Sequence, residues 1–239
     1  MKKFLETLKN KWAEYLLEII VIMIGILGAY TLNNWNEDRK ERILKTQLII
    51  DLKFELETSK INVNEKIYRL ETVLKDNSTF KKLVGFSNDS VTVDSLKTLA
   101  NSLFKGGPFE LTLASYDEAK SSGRLSLLKN KKILIGYANI ISAYESFNVN
   151  FRYSAEHYFS GVTFELRKAL GTIKVLTSTE AQIPEHFRIS DTEYKELVKK
   201  PMVYAATEII EIINRQMLND FRKMDRALGQ VIDLLEEAN

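Results

Sequence analysis

The chain of 239 residues sets 34 lysines and arginines against 32 aspartates and glutamates, and no basic patch interleaved with aromatics stands out, which argues against a nucleic-acid partner. It contains no cysteine, which excludes disulfide frameworks, thiolate zinc sites, iron–sulfur clusters and cysteine nucleophiles. Apolar residues at 45% and charged residues at 28% suit a folded domain, while 3 prolines and 10 glycines favour long helices over many short strands.

Residues 1–14 form a short basic tail with Lys2, Lys3, Lys9 and Lys11. From Tyr15 to Leu32 the chain then runs apolar with a single charge, Glu18. As a helix this run would be about 27 Å long, against a hydrocarbon core of roughly 30 Å. Trp12 lies before it and Trp35 after it, as interfacial anchors at the headgroup level. A cleaved export signal requires small residues three and one positions before the cut; Leu27 and Ala29 supply only half of that pair. Residues 15–32 are therefore expected to be a transmembrane helix.

The basic flanks tie, because Arg39, Lys40, Arg42 and Lys45 follow the span as four lysines precede it. A short basic tail before an early span favours an N-terminus inside and a large domain outside. In a bacterium this is a single-pass inner-membrane protein with its domain in the periplasm.

Glu18, Ile22, Gly25, Ala29, Leu32 and Asn36 fall on one helical face. Gly25 and Ala29 form a small-xxx-small pair, which lets two backbones approach closely. Two readings of Glu18 lead, beside a third, a proton or ion path, which one span cannot build without several copies. Its carboxylate reaches out to Lys11 or a lipid headgroup, or it is the polar contact of a helix–helix interface centred on Gly25 and Ala29. The partners expected are the lipid membrane and either a second copy or an unidentified membrane protein.

The run "EIIVIMIGILGAYTLNNWNEDRKER" resembles the N-terminal signature of a family of uncharacterised membrane proteins seen mostly in Bacteroidota, with its glutamate, its "IGI" and its "NNWNE". A second block, "LASYDEAKSSGRLSLLKNKKI" at 113 to 133, is similar to the same family's mid-domain pattern. Leu17 stands where many relatives have glycine before the acid. The resemblance implies a membrane location and a helical domain; it implies no activity, ligand or catalytic residue.

Residues 33–239 are expected to be one helical domain outside the membrane. No Pro or Gly falls between Asn33 and Val84, so the membrane helix continues outward. Ile49, Leu52, Leu56, Val63, Ile67, Leu70 and Leu74 make one apolar stripe. "GFSNDS" at 85 to 90 ends the helix, and Asp94 or Ser95 caps the next, which "GGP" at 106 to 108 stops. Thr112 or Ser115 opens a third, closed by a left-handed Gly123. A long helix from Lys131 to Leu170 follows Asn130, with Ile133, Tyr137, Ile140, Ile141, Tyr144 and Phe147 inward. Residues 171–189 read as loop and helical turn. Ser190 or Asp191 begins a capping box, and Pro201 opens a final helix to about Glu236. Its stripe, Ile210, Ile213, Met217, Phe221, Met224, Leu228, Val231 and Leu235, has near-heptad spacing. That spacing suits packing on the Ile49 to Leu74 stripe within one chain, or an intermolecular coiled coil. The expected fold is all-α, a transmembrane helix continuing into an antiparallel helical bundle.

His157 and His186 have no metal-ligand spacing, and neither a Walker loop nor a G-x-S-x-G elbow is present. No cofactor, metal site or catalytic residue is expected. Tyr144, Phe147, Phe151, Tyr158 and Phe159, with Arg152 between them, are the candidate lining of a small-ligand pocket, although ordinary core packing is the first explanation of these aromatics. The functional expectation is a membrane-anchored binding or assembly module; the alternative is an anchored sensor domain that binds a small ligand and signals through a partner.

Overall fold

The computed structural model describes residues 2–85, 91–103, 107–161, 163–164 and 190–238, with side chains from Trp12 onward. The fold is all-α, and no strand occurs among the described residues. Among the described residues six α-helices follow in order: α1 (Lys2–Gly85), α2 (Val93–Ser102), α3 (Ala114–Ser121), α4 (Lys131–Phe159), α5 (Asp191–Val198) and α6 (Pro201–Glu237). A 3-10 turn, Arg124–Leu128, stands between α3 and α4.

α1 is a single helix of 84 residues, as the absence of helix breakers after Asn33 predicts. The Thr31 hydroxyl donates to the Leu27 carbonyl at 2.7 Å, and Asn33 Nδ2 donates to Glu37 Oε1 at 3.0 Å. Polar groups at the end of the run are thus satisfied within the helix itself.

The chain divides into two compact units. The first takes Met1–Asp51 and Ser115–Lys129. In it, Gly123 adopts φ 76°, a left-handed conformation in which a side chain would be strained. Gly123 separates α3 from the 3-10 turn, as expected of a helix C-cap. Lys129 is also left-handed, and its ammonium pairs with Glu41 at 3.0 Å.

The second unit takes Leu52–Ala114 and Asn130–Ala238. Its centre is α6, which runs antiparallel to the second half of α1. Pairs along the two helices set the register: Lys53 with Glu236 at 2.6 Å, Lys60 with Asp225 at 2.8 Å, and Glu71 with Arg222 at 2.7 Å. Asn77 then donates to the Thr207 carbonyl at 3.0 Å, and Lys81 reaches Glu208 at 2.6 Å. α4 is antiparallel to α6 as well, with Gly136 against Val231 at one end and Asn150 on Asp220 at the other. Every residue of the α6 stripe from Ile210 to Leu235 is buried within the chain. Burying each such Leu, Val, Phe or Met contributes about 1.5–3 kcal/mol.

At one end of this unit α2 and α5 close over Phe80, with Leu96, Ala100, Tyr194, Val198, Val203 and Ala206 in one apolar cluster. Asn130 caps α4 by accepting from the Lys132 amide. Ser190 and Glu193 form a full capping box on α5, and Pro201 sits in the first turn of α6.

Several expectations shift in detail. α2 is capped by Thr92, whose side chain accepts from the Ser95 amide, instead of by Asp94 or Ser95. On α1, Val73, Asn77 and Phe80 are buried, whereas Ile67 and Leu74 are only half-buried. Asn77 explains this, because its hydrogen bond to α6 carries the contact face on through a polar residue. On α4, Gly136 and Ala143 are buried, while Ile141 and Tyr144 are half-buried. α4 stops at Phe159, where the Ser160 amide returns to the Glu156 and His157 carbonyls; the rest of the helix expected to Leu170 lies largely outside the described residues. The turn at 86 to 90, the segment 171–189 and His186 also lie outside them.

Candidate functional site

Two regions carry chemistry that packing alone does not use. The first is the apolar run of α1. Among the described residues, one helix is long and apolar enough to cross a membrane by length and composition, and none of its apolar window is buried. Leu17, Ile24, Ile26, Leu27, Tyr30 and Leu32 all stand exposed. In water such a run would be a large apolar patch without cover. Trp12 and Trp35 lie exposed at its two ends, and Glu18 and Ala29 are exposed along it. A Cβ placed on Gly25 or Gly28 would meet nothing within 4 Å. Gly28 lies in a shallow groove with Ile24, Leu27, Thr31, Leu32 and Trp35. Lys11, the candidate partner of Glu18, has its side chain outside the described set.

The second region is a cavity of about 280 Å³ in the second unit. Phe151, Ser154, Ala155, His157, Tyr158 and Phe159 of α4 form one wall; Ile210, Ile213 and Asn214 of α6 form another, with Leu103 and Thr163 completing it. Of the six residues that the sequence offers as a pocket, Phe151, Tyr158 and Phe159 line this cavity. Tyr144 and Phe147 instead belong to an aromatic cluster with Phe109 and Phe221, whose rings meet edge-on or tilted at centroid distances of 4.7–6.1 Å. Phe147 also stacks on Phe151 at 5.8 Å, which links the cluster to the cavity. Arg152 points to solvent.

Asn214 is a polar lining residue on α6 that sequence reasoning did not offer. It is only 5% exposed, yet it sits in the apolar stripe of α6 between Ile213 and Met217. A polar amide on a helix face that is otherwise apolar was the available signal. Its side chain makes no hydrogen bond among the described residues. His157 is half-buried, and its Nδ1 is buried without a partner among the described residues.

Elsewhere the polar groups of the second unit are structural. Asp220 is 2% exposed and accepts from the Ser146 hydroxyl at 2.9 Å and from Asn150 Nδ2 at 2.6 Å. Lys81 bridges Glu208 and Glu211, and Glu211 also takes Arg215. Its hydrogen bond with Lys81, helped by Arg215 and opposed by burial, holds the Glu211 carboxyl below its ordinary value of 4.5. Burial works against the charge of Lys81, but the hydrogen bonds to Glu208 and Glu211 outweigh it and raise its pKa above 10.5. Burial alone pushes the Tyr194 hydroxyl up to about 12. No group of three or more metal-ligating side chains occurs among the described residues.

Comparison with known proteins places residues 18–197 within the family described as "Family of unknown function (DUF6090)". The match begins at Glu18 and takes in both sequence blocks noted above. No curated protein and no solved structure matches the chain.

Proposed function

Since the chain belongs to the DUF6090 family, a family of unknown function, the site itself has to supply a role, and we propose that the protein is a single-span, membrane-anchored binding and assembly module without catalysis. The exposed apolar run of α1 carries this reading. An uncovered face of that size needs a lipid solvent, and α1 continues from it into the domain with no break. Within the membrane, the face of Glu18, Gly25 and Ala29 is the contact between copies or with another membrane protein. Both Gly25 and Ala29 leave room for a backbone to approach, the geometry that small-xxx-small pairs use. Glu18 then lies at the edge of the interface, where a carboxylate finds protein or headgroup partners. The location proposed is a bacterial inner membrane, with the large domain in the periplasm.

The test is the mass and composition of the complex after gentle extraction from native membranes. Several copies, reduced to one by Gly25→Leu, support self-assembly through this face. A different protein at fixed stoichiometry makes the chain an accessory subunit. A protein released by alkaline washing without detergent would overturn the anchor. Orientation is read separately: the chain has no cysteine, so a single cysteine at the exposed Tyr153 reports its side. Labelling by an impermeant maleimide once the outer membrane is opened supports the periplasm, and labelling only after lysis reverses it.

A further inference from the structure

The cavity between α4 and α6 is not accounted for by anchoring or assembly, and its chemistry is selective. Phe151, Ala155, Phe159, Ile210 and Ile213 give it an apolar surface, and among the described residues no lysine, arginine, aspartate or glutamate lines it. A charged ligand would lose its hydration there, and among the described lining residues only the His157 imidazole could carry an opposite charge to meet it. Asn214 supplies one fixed polar point on this surface. The residue as a whole is 5% exposed, and its amide, unlike His157 Nδ1, is not a fully buried group without a partner; it stays accessible at the cavity that Asn214 lines. The amide offers both a donor and an acceptor. At about 280 Å³ the space falls at the lower end of ligand pockets, which span roughly 300–1,000 Å³.

We infer that this cavity binds a small uncharged molecule, apolar over most of its surface, whose single hydroxyl or carbonyl group pairs with Asn214. The ligand is held by contact with Phe151, Phe159 and the two isoleucines, and is oriented by the amide. This inference does not depend on the membrane reading, because every described lining residue lies in the second unit.

Three probes with one ring system test it: 2-naphthol, naphthalene and 2-naphthoate. The full chain is placed in lipid nanodiscs, and retention of each probe is measured by equilibrium dialysis. Lipid takes up some of each probe, so every value is compared with an Ala155→Phe variant, in which a new ring fills the cavity. The wild type is expected to retain more 2-naphthol than Ala155→Phe does, and to show no such excess of 2-naphthoate. Asn214→Leu weakens 2-naphthol binding about tenfold, as loss of a buried hydrogen bond does, and leaves naphthalene binding unchanged. Helical circular dichroism and an unchanged or higher Tm establish that both variants fold. Equal 2-naphthol retention by the wild type and folded Ala155→Phe overturns the site. Retention of 2-naphthoate at the level of 2-naphthol overturns the ligand class, and an Asn214→Leu variant that binds 2-naphthol as before overturns the role of the amide.

Discussion

Gly136 of α4 lies against Val231 of α6 so closely that a methyl group added to the glycine would run into Cγ2 of the valine. Both residues are buried, and the valine is part of the bundle stripe. Gly136→Ala removes the helix penalty of glycine, about 1 kcal/mol. Against that gain, it forces two packed helices apart, and overpacking a core costs about 1–3 kcal/mol. The expected net effect is destabilisation, larger for Gly136→Val. Thermal melting followed by circular dichroism in detergent checks it; a Tm at or above the wild type for Gly136→Val would mean that the helices are not in this contact.

Asp220 holds the middle of the same interface. With its carboxylate 2% exposed and bound by Ser146 and Asn150, Asp220→Ala leaves two donors without an acceptor. Each buried group left unsatisfied costs about 1–3 kcal/mol. The double variant Asp220→Ala, Asn150→Ala should cost less than the sum of the two single changes, because the amide is then no longer stranded. Additive losses in chemical denaturation would show that the pair is not coupled.

The Lys81 bridge predicts how stability follows pH. Glu211 titrates below 4.5 in the folded chain, so its contribution is present above 4.5 and is lost as pH falls through the lowered value. Lys81 titrates above 10.5, so its contribution is present below 10.5 and is lost as pH rises through the raised value. The difference in Tm between wild type and Lys81→Met should therefore be flat between those limits and shrink beyond both. A difference that changed steadily across neutral pH would place its origin in another group.

Much of this architecture is legible in the sequence because it rests on local signals. The α6 stripe, Pro201 in the first turn, the Ser190–Glu193 capping box and the left-handed Gly123 each announce themselves within a few residues. What was hidden depends on partners far along the chain. Asn77 reads as a break in an apolar stripe until the Thr207 carbonyl, 130 positions away, is seen to accept from it. Gly136 reads as a weak point in α4 until Val231 is found against it. The cavity was legible only in part for the same reason: aromatic residues mark α4 from Tyr144 to Phe159 as a whole, and only Phe109 and Phe221 decide that Tyr144 and Phe147 are packed while Phe151 stays open to the cavity. Asn214 lies on the opposing helix, and periodicity on α4 carries no information about it.

The two tryptophans offer the most direct view of the anchor, since the chain has only Trp12 and Trp35. Along a continuous helix their 23 positions correspond to about 35 Å, slightly more than a hydrocarbon core of roughly 30 Å. Each ring is exposed on the helix, free to lie at the headgroup level, where indoles prefer to sit. Trp12→Phe and Trp35→Phe leave one emitter each. In vesicles with brominated acyl chains, both single-tryptophan proteins should be quenched most by bromines near the headgroups and least by bromines near the bilayer centre. Quenching greatest at the centre for either residue would mean that the helix is shifted or lies flat. A Trp35 signal untouched by any brominated lipid would place the end of the run in water, and the span would have to be shorter than the apolar sequence allows.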